Sequence, residues 1–97
     1  MMKAYLILDF SVHNLEQFME YVNKIPAFIE KHLGRYLVRG EIPTNMEGGW
    51  QPERIVVLEF ASRANAEAFL QDPDAQSLFD LRHQTTTSKL ILVDGCT

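Results

Sequence analysis

The chain has little cysteine, a deficit of basic charge and no long apolar run, and each shortage removes a class of protein. A lone Cys96 in 97 residues cannot close an internal disulfide and has no CxxC partner, which fits a reducing, cytoplasmic setting. At the chain's end it also makes a poor nucleophile. Nine Lys and Arg stand against thirteen Asp and Glu, a net charge of −4, so no basic field is present and nucleic acid is not an expected partner. The apolar runs Tyr5–Leu8, Ile55–Leu58 and Leu90–Val93 are far shorter than the ~20 residues of a membrane helix, so no membrane association is expected. A strand-like pattern begins within a few residues of Met1, with no cationic stretch and apolar run before it, so no secretion signal is expected. His13, His32 and His83 lack metal-ligand spacing such as HxH or HExxH, and neither a G-x-S-x-G elbow nor a glycine-rich phosphate loop occurs. No metal and no cofactor are expected.

What is present is an ordinary globular composition, 46% hydrophobic and 23% charged, over a length that suits one domain spanning residues 1–97. A domain this small gains from burying further surface against a partner. Lys3 to Val12 alternates Ala4, Leu6, Leu8 and Phe10 against Lys3, Tyr5, Ile7 and Asp9, the period-2 pattern of a strand. Asn14 can cap a helix with Gln17 three residues on, and Leu15, Phe18, Val22, Ile25 and Ile29 recur along one helical stripe to about His32. Pro26 is expected to kink this helix or restart it, and Gly34 to end it in the left-handed C′ conformation. Arg35–Gly40 and Arg54–Phe60 read as strands, joined by an unusually long connection, Glu41 to Gln51, that holds Pro43, Asn45, Gly48, Gly49 and the single Trp50. Ser62 can cap a second helix, Asp72-Pro73 a further short one with Ala75, Leu78, Phe79 and Arg82 inward, and Thr86 to Asp94 closes the chain as a strand.

The order strand, helix, strand, strand, helix, strand predicts an α+β, ferredoxin-like βαββαβ fold, a four-stranded antiparallel sheet with helices on one face. Leu6, Leu8, Phe10, Val38, Val56, Leu58 and Phe60 are assigned to the helix face. The other face carries Tyr5, Ile7, Leu37, Ile55, Val57, Ile91 and Val93 among charges, too apolar for solvent, and predicts a homodimer formed sheet to sheet. With the first and third strands taken as parallel central neighbours, Asp9 and Glu59 gather at one end with Arg35 and Lys89. Tyr5, Arg39 and Arg54 then gather at the other, under the Trp50 loop.

GRYLVRG at 34–40, EGGW at 47–50, PERIVVLEF at 52–60, Asp72-Pro73, Leu81-Arg82 and Ser88 before LILVDG resemble, in order and over nearly the whole chain, the domain of unknown function family 1330 (DUF1330). That family is similar to the dimeric α/β-barrel superfamily, so the resemblance implies two sheets closed into a barrel. The superfamily includes cofactor-free oxygenases, isomerases, decarboxylases and haem-handling enzymes, while the family itself has no settled activity. The family pattern maps onto Tyr21, Gly34, Arg39, Gly40, Trp50, Arg54, Glu59, Arg82 and Ser88. This chain departs from it with Glu41 in place of a second glycine and Phe69 in place of tryptophan.

Arg39, Trp50 and Arg54 read either as a clamp for a small carboxylate or as dimer anchors. Asp9 and Glu59 read either as an acid/base pair or as structural partners of Arg35 and Lys89. His83 beside Arg82 reads as a general base or as a surface group. Tyr21, Arg82 and Ser88 join the ligand-binding candidates through the resemblance. The expected function is binding of a small anionic organic molecule in the inter-sheet cleft, with cofactor-free chemistry; the alternative is a non-enzymatic structural or regulatory dimer.

Overall fold

The computed structural model describes residues 2–97. Strands β1 (Ala4–Val12), β2 (Gly34–Glu41), β3 (Arg54–Phe60) and β4 (Thr86–Asp94) form one sheet in the order β2-β3-β1-β4. Helix α1 (Leu15–Lys31) links β1 to β2, and α2 (Arg63–Gln71), a 3-10 turn (Pro73–Ala75) and α3 (Gln76–Thr85) link β3 to β4. The ferredoxin-like order is as the hydropathy pattern predicts, and the sheet of this one chain is open rather than closed into a barrel.

The caps are those read from the sequence. The Asn14 side chain accepts from the Gln17 amide at 3.1 Å, the Ser62 hydroxyl from the Asn65 amide at 3.2 Å, and the Asp72 carboxylate from the Asp74 amide at 2.9 Å. Helix α1 runs unbroken through Pro26. Asp72 is buried and receives Lys31 Nζ at 2.8 Å and His32 Nε2 at 2.7 Å, tying the end of α1 to the α2–α3 corner. The Lys31 and His32 hydrogen bonds hold its carboxyl well below the usual carboxylate range.

The sheet register corrects one expectation with wide consequences. β1 runs antiparallel, not parallel, to β3: Tyr5 lies opposite Glu59 and Asp9 opposite Ile55. In a split βαβ arrangement β1 and β2 share a direction, so the hairpin partner β3 must oppose both. Asp9 and Glu59 are therefore separated by four residues along the sheet, about 13 Å at ~3.3 Å per residue.

A second correction concerns β2. The pairs Tyr36↔Leu58, Val38↔Val57, Arg39↔Val56 and Glu41↔Ile55 leave Leu37 and Gly40 as extra residues in two bulges. Directly paired residues share a face, so Val38 lies with Val57 on the bare face and Arg39 with Val56 on the helix face, the reverse of simple alternation. Gly40 adopts φ +80°, a conformation that glycine takes without strain.

The main core lies at the end where β1 begins. Ala4, Leu6, Phe60, Ile25, Ile29, Phe69 and Phe79 are buried there, with Phe69 5.3 Å from both Phe60 and Phe79 between ring centres. The turn from α1 into β2 also differs from expectation, because Leu33, not Gly34, holds the left-handed conformation at φ 62°. Gly34 is needed for another reason: a Cβ there would meet the Phe60 ring at 2.5 Å. Gly34→Ala is expected to destabilise the fold by about 1–3 kcal/mol through overpacking. Leu33→Gly, at a side chain 65% exposed, is expected to leave stability unchanged or raise it by up to about 1 kcal/mol by relieving backbone strain. Urea unfolding of both variants measures the difference: a loss for Gly34→Ala and none for Leu33→Gly.

Candidate functional site

A cavity of about 560 Å³ lies between the sheet and the helices of the one chain. It stands on the opposite side of the sheet from the face expected to carry the cleft. The register orders its wall. At the outer end Arg54 lies beside Phe10, with Ser88 in the same row of the sheet but outside the lining; the next row holds Arg39, Val56, Leu8 and Leu90, and the third holds Tyr36, Leu58 and Leu6. Facing these rows, α1 contributes Phe18, Tyr21, Val22, Ile25 and Ile29, α2 contributes Phe69, and α3 contributes Phe79 and Arg82. His13, Leu15, Gly40 and Glu53 stand at the rim, where side chains are mostly exposed, while Leu6, Ile25, Ile29 and Phe69 close the inner end.

Three arginines share this space, held in different ways. Arg54 donates through Nη1 to the Gly40 carbonyl at 3.2 Å, clamping the second bulge, which follows Arg39. Arg39 lies over the Tyr36 ring, 4.5 Å from its centre. Arg82 is only 5% exposed, donates through Nη1 to the Ser88 hydroxyl at 2.9 Å, and lies 5.9 Å from the Tyr21 ring and 6.0 Å from that of Phe79. Among the described residues no carboxylate pairs with it. A buried guanidinium without a counter-ion is costly, so its position in a cavity wall marks a place where an anion is favoured.

Burial raises the Tyr21 hydroxyl, against the opposing effect of the Arg82 charge, up to about 12. It is a neutral hydrogen-bond donor at physiological pH.

Of the sequence-derived candidates, Tyr21, Arg39, Arg54 and Arg82 come together at the cavity, and Ser88 positions Arg82 from just behind its wall. Trp50, Glu59, Asp9 and His83 do not line it. Trp50 donates through Nε1 to Asp9 at 2.9 Å at the rim of the bare face, in a loop closed by hydrogen bonds from Asn45 to the Trp50 carbonyl and from Gln51 to the Pro43 carbonyl. Glu59, at the far end, receives Arg35 Nε at 2.9 Å and the Tyr5 hydroxyl at 3.1 Å, with Lys3 at 3.5 Å. Desolvation opposes its ionisation, but the hydrogen bonds from Arg35 and Tyr5 outweigh it and hold Glu59 below the usual range. It is an ion-paired carboxylate, not half of an acid/base pair with Asp9. His83 is exposed on α3. The histidine at the cavity is His13, whose Nε2 is 2.5 Å from the Thr87 hydroxyl. Its place just past β1, before a capped helix whose stripe faces the sheet, was the available signal.

A model of the domain of unknown function DUF1330 matches residues 3–96. The chain belongs to the DUF1330 family. No curated protein matches it in sequence. Among solved structures, this DUF1330 chain is similar to a protein of unknown function from Rhodopseudomonas palustris, with 14% identity, a TM-score of 0.79, and 99% of this chain and 84% of that one covered. It is also similar to SnoaB, a cofactor-independent oxygenase from Streptomyces nogalater, at 13% identity, a TM-score of 0.69, and coverage of 100% and 96%. A dimeric ferredoxin-like protein of unknown function from Thermobifida fusca matches at 17% identity and a TM-score of 0.65, over 97% of this chain and 92% of its own. At these identities the likeness establishes the fold.

Among the described residues no group of three His, Cys, Asp or Glu side chains is placed to hold a metal ion, and no helix is long and apolar enough to cross a membrane.

The Tyr21 environment has a direct readout. Its raised value means that the fold keeps the stability it draws from the buried phenol up to about pH 10, the unfolded value, and loses it as pH rises towards 12. In an alkaline absorbance titration, with circular dichroism recorded at each pH, the last tyrosine of the folded protein is expected to ionise near pH 12. Tyr21→Phe is expected to remove that step.

Proposed function

We propose that this DUF1330 protein is a cytoplasmic homodimer, joined through the bare faces of its sheets, in which each subunit binds a small anionic organic molecule in its helix-side cavity. The observation that carries the binding half is the buried Arg82, unpaired by any described carboxylate and set in a cavity wall beside the neutral Tyr21 hydroxyl. An acidic group placed there would receive charge-assisted hydrogen bonds from Arg82 and a further donor from Tyr21. The dimer half rests on the bare face, where Leu37, Ile91 and Val93 are 46%, 58% and 45% exposed beside Ile7, Ile55 and Val57. The dimeric relatives of the same fold support it.

Cofactor-free chemistry on the bound anion is the second part of the reading. A fixed cation beside a protonated phenol can stabilise an oxyanion, the charge that develops when a carbon acid beside a carbonyl loses its proton. SnoaB, a relative in fold, is a cofactor-independent oxygenase. The alternative, a structural dimer without ligand, predicts a cavity that takes up no anion.

A thermal-shift screen against small carboxylates tests the binding half. A carboxylate that stabilises the parent is expected to lose roughly 100-fold in affinity with Arg82→Met, about 2.7 kcal/mol, because the buried charge pair is removed. Without ligand, Arg82→Met is expected to match or exceed the parent in stability, since it deletes an unpaired buried charge. Ligand stabilisation that survives Arg82→Met unchanged would refute the assignment. Sedimentation at equilibrium is expected to give twice the 11.2 kDa chain mass, and Ile91→Asp the monomer; a parent that stays monomeric at high concentration rules out the dimer.

A further inference from the structure

We infer that the anion taken by this cavity is an amphiphile with a single acidic head and an apolar body of medium length, seated with the head outward. The inference rests on the anion-binding reading above and adds the ligand's shape and direction. It comes from how charge is distributed along the cavity. Arg54 stands in the outermost row beside Phe10, Arg82 is held to that row through Ser88, and Arg39 occupies the next row inward. Beyond them Leu6, Leu58, Ile25, Ile29 and Phe69 line the inner end without a charged group. Tyr36 stands in the same row as Leu6 and Leu58, and the face of its ring is already covered by Arg39.

Both ends of a ligand are thereby specified. An acidic group at the inner end would be stripped of water with no cation to receive it, a loss of several kcal/mol in general terms that no apolar contact restores. An apolar body at the rim would stay in water among Glu53, His13 and the arginines. With the head at the arginines, the same molecule places its body against aliphatic and aromatic side chains. The distance from the Phe10 row to the Leu6 row is four residues, about 13 Å at ~3.3 Å per residue. With carbon–carbon bonds of ~1.5 Å, that accommodates an extended chain of roughly eight to ten carbons, or a ring system of similar reach. Three cationic side chains against one rim carboxylate, Glu53, make the head region positive overall and favour an ionised acid over an alcohol or an amine.

Titration calorimetry with straight-chain monocarboxylates of four to ten carbons, the matching primary alcohols and the matching α,ω-dicarboxylates tests this on the parent protein. Affinity for the monocarboxylates is expected to rise about fourfold for each added CH₂ and to level off near ten carbons. The alcohols and the dicarboxylates are each expected to bind at least tenfold more weakly than the acid of the same length, the latter because their second carboxylate is forced into the apolar end. Dicarboxylates that bind as well as monocarboxylates, or affinities independent of chain length, overturn the amphiphile while leaving an anion site in place. Alcohols that match the acids overturn the anion reading itself, and the absence of binding across all three series overturns both.

Discussion

β1 is hydrogen-bonded on both sides to strands running against it, so each of its residues fixes a row across the sheet, and the rows decide which side chains meet. Phe10 brings together Arg54 and Ser88; Leu8 brings together Val56 and Leu90, with Arg39 beyond Val56; Tyr5 brings together Glu59 and Val93. The alternation of β1 then sends Ala4, Leu6, Leu8 and Phe10 to the helices and Tyr5, Ile7 and Asp9 to the bare face. Reversing the direction of one neighbour would dismantle the arginine end of the cavity and the Glu59 ion-pair cluster together.

On that frame, β2 adds a local irregularity with a chemical consequence. Two extra residues, Leu37 and Gly40, shift its pairing against β3, and the second shift is made at φ +80° by a residue without a Cβ and clamped by Arg54 on its carbonyl. The first shift, at Leu37, is the one by which Arg39 faces the helices and stacks on Tyr36 instead of joining Arg35 on the bare side. Bulges recur beside functional sites because they re-aim a side chain without disturbing the rest of the sheet. Arg54 thus has two functions, supporting the bulge and adding positive charge at the rim.

The two faces of the sheet carry different kinds of unfinished business. On the bare face it is apolar area, which a second copy of the same surface would cover without new chemistry. On the helix face it is a buried cation with no described carboxylate beside it, a place where an anion would be favoured. A protein selected for stability alone would replace Arg82 with an apolar side chain, and keeping it there is the kind of local cost that accompanies binding sites.

Much of this was legible in the residues. The periodicities located every strand and helix, the Asn14, Ser62 and Asp72 caps stand where their side-chain chemistry places them, and the apolar second face is plain from Tyr5, Ile7, Ile55, Val57, Ile91 and Val93. Short-range rules determine these features, because a cap or an alternating strand depends on neighbours within a few positions. Only the tertiary structure decided that Asp9 and Glu59 lie at opposite ends, that Val38 and Arg39 exchange faces, that Leu33 rather than Gly34 turns left-handed, and that the cavity opens under the helices. The first two depend on strand direction and on a bulge, and the need for glycine at position 34 on the close approach of Phe60, 26 positions away in the chain. Sequence spacing alone carries no record of which partner a backbone will meet, and that meeting is what sets the site.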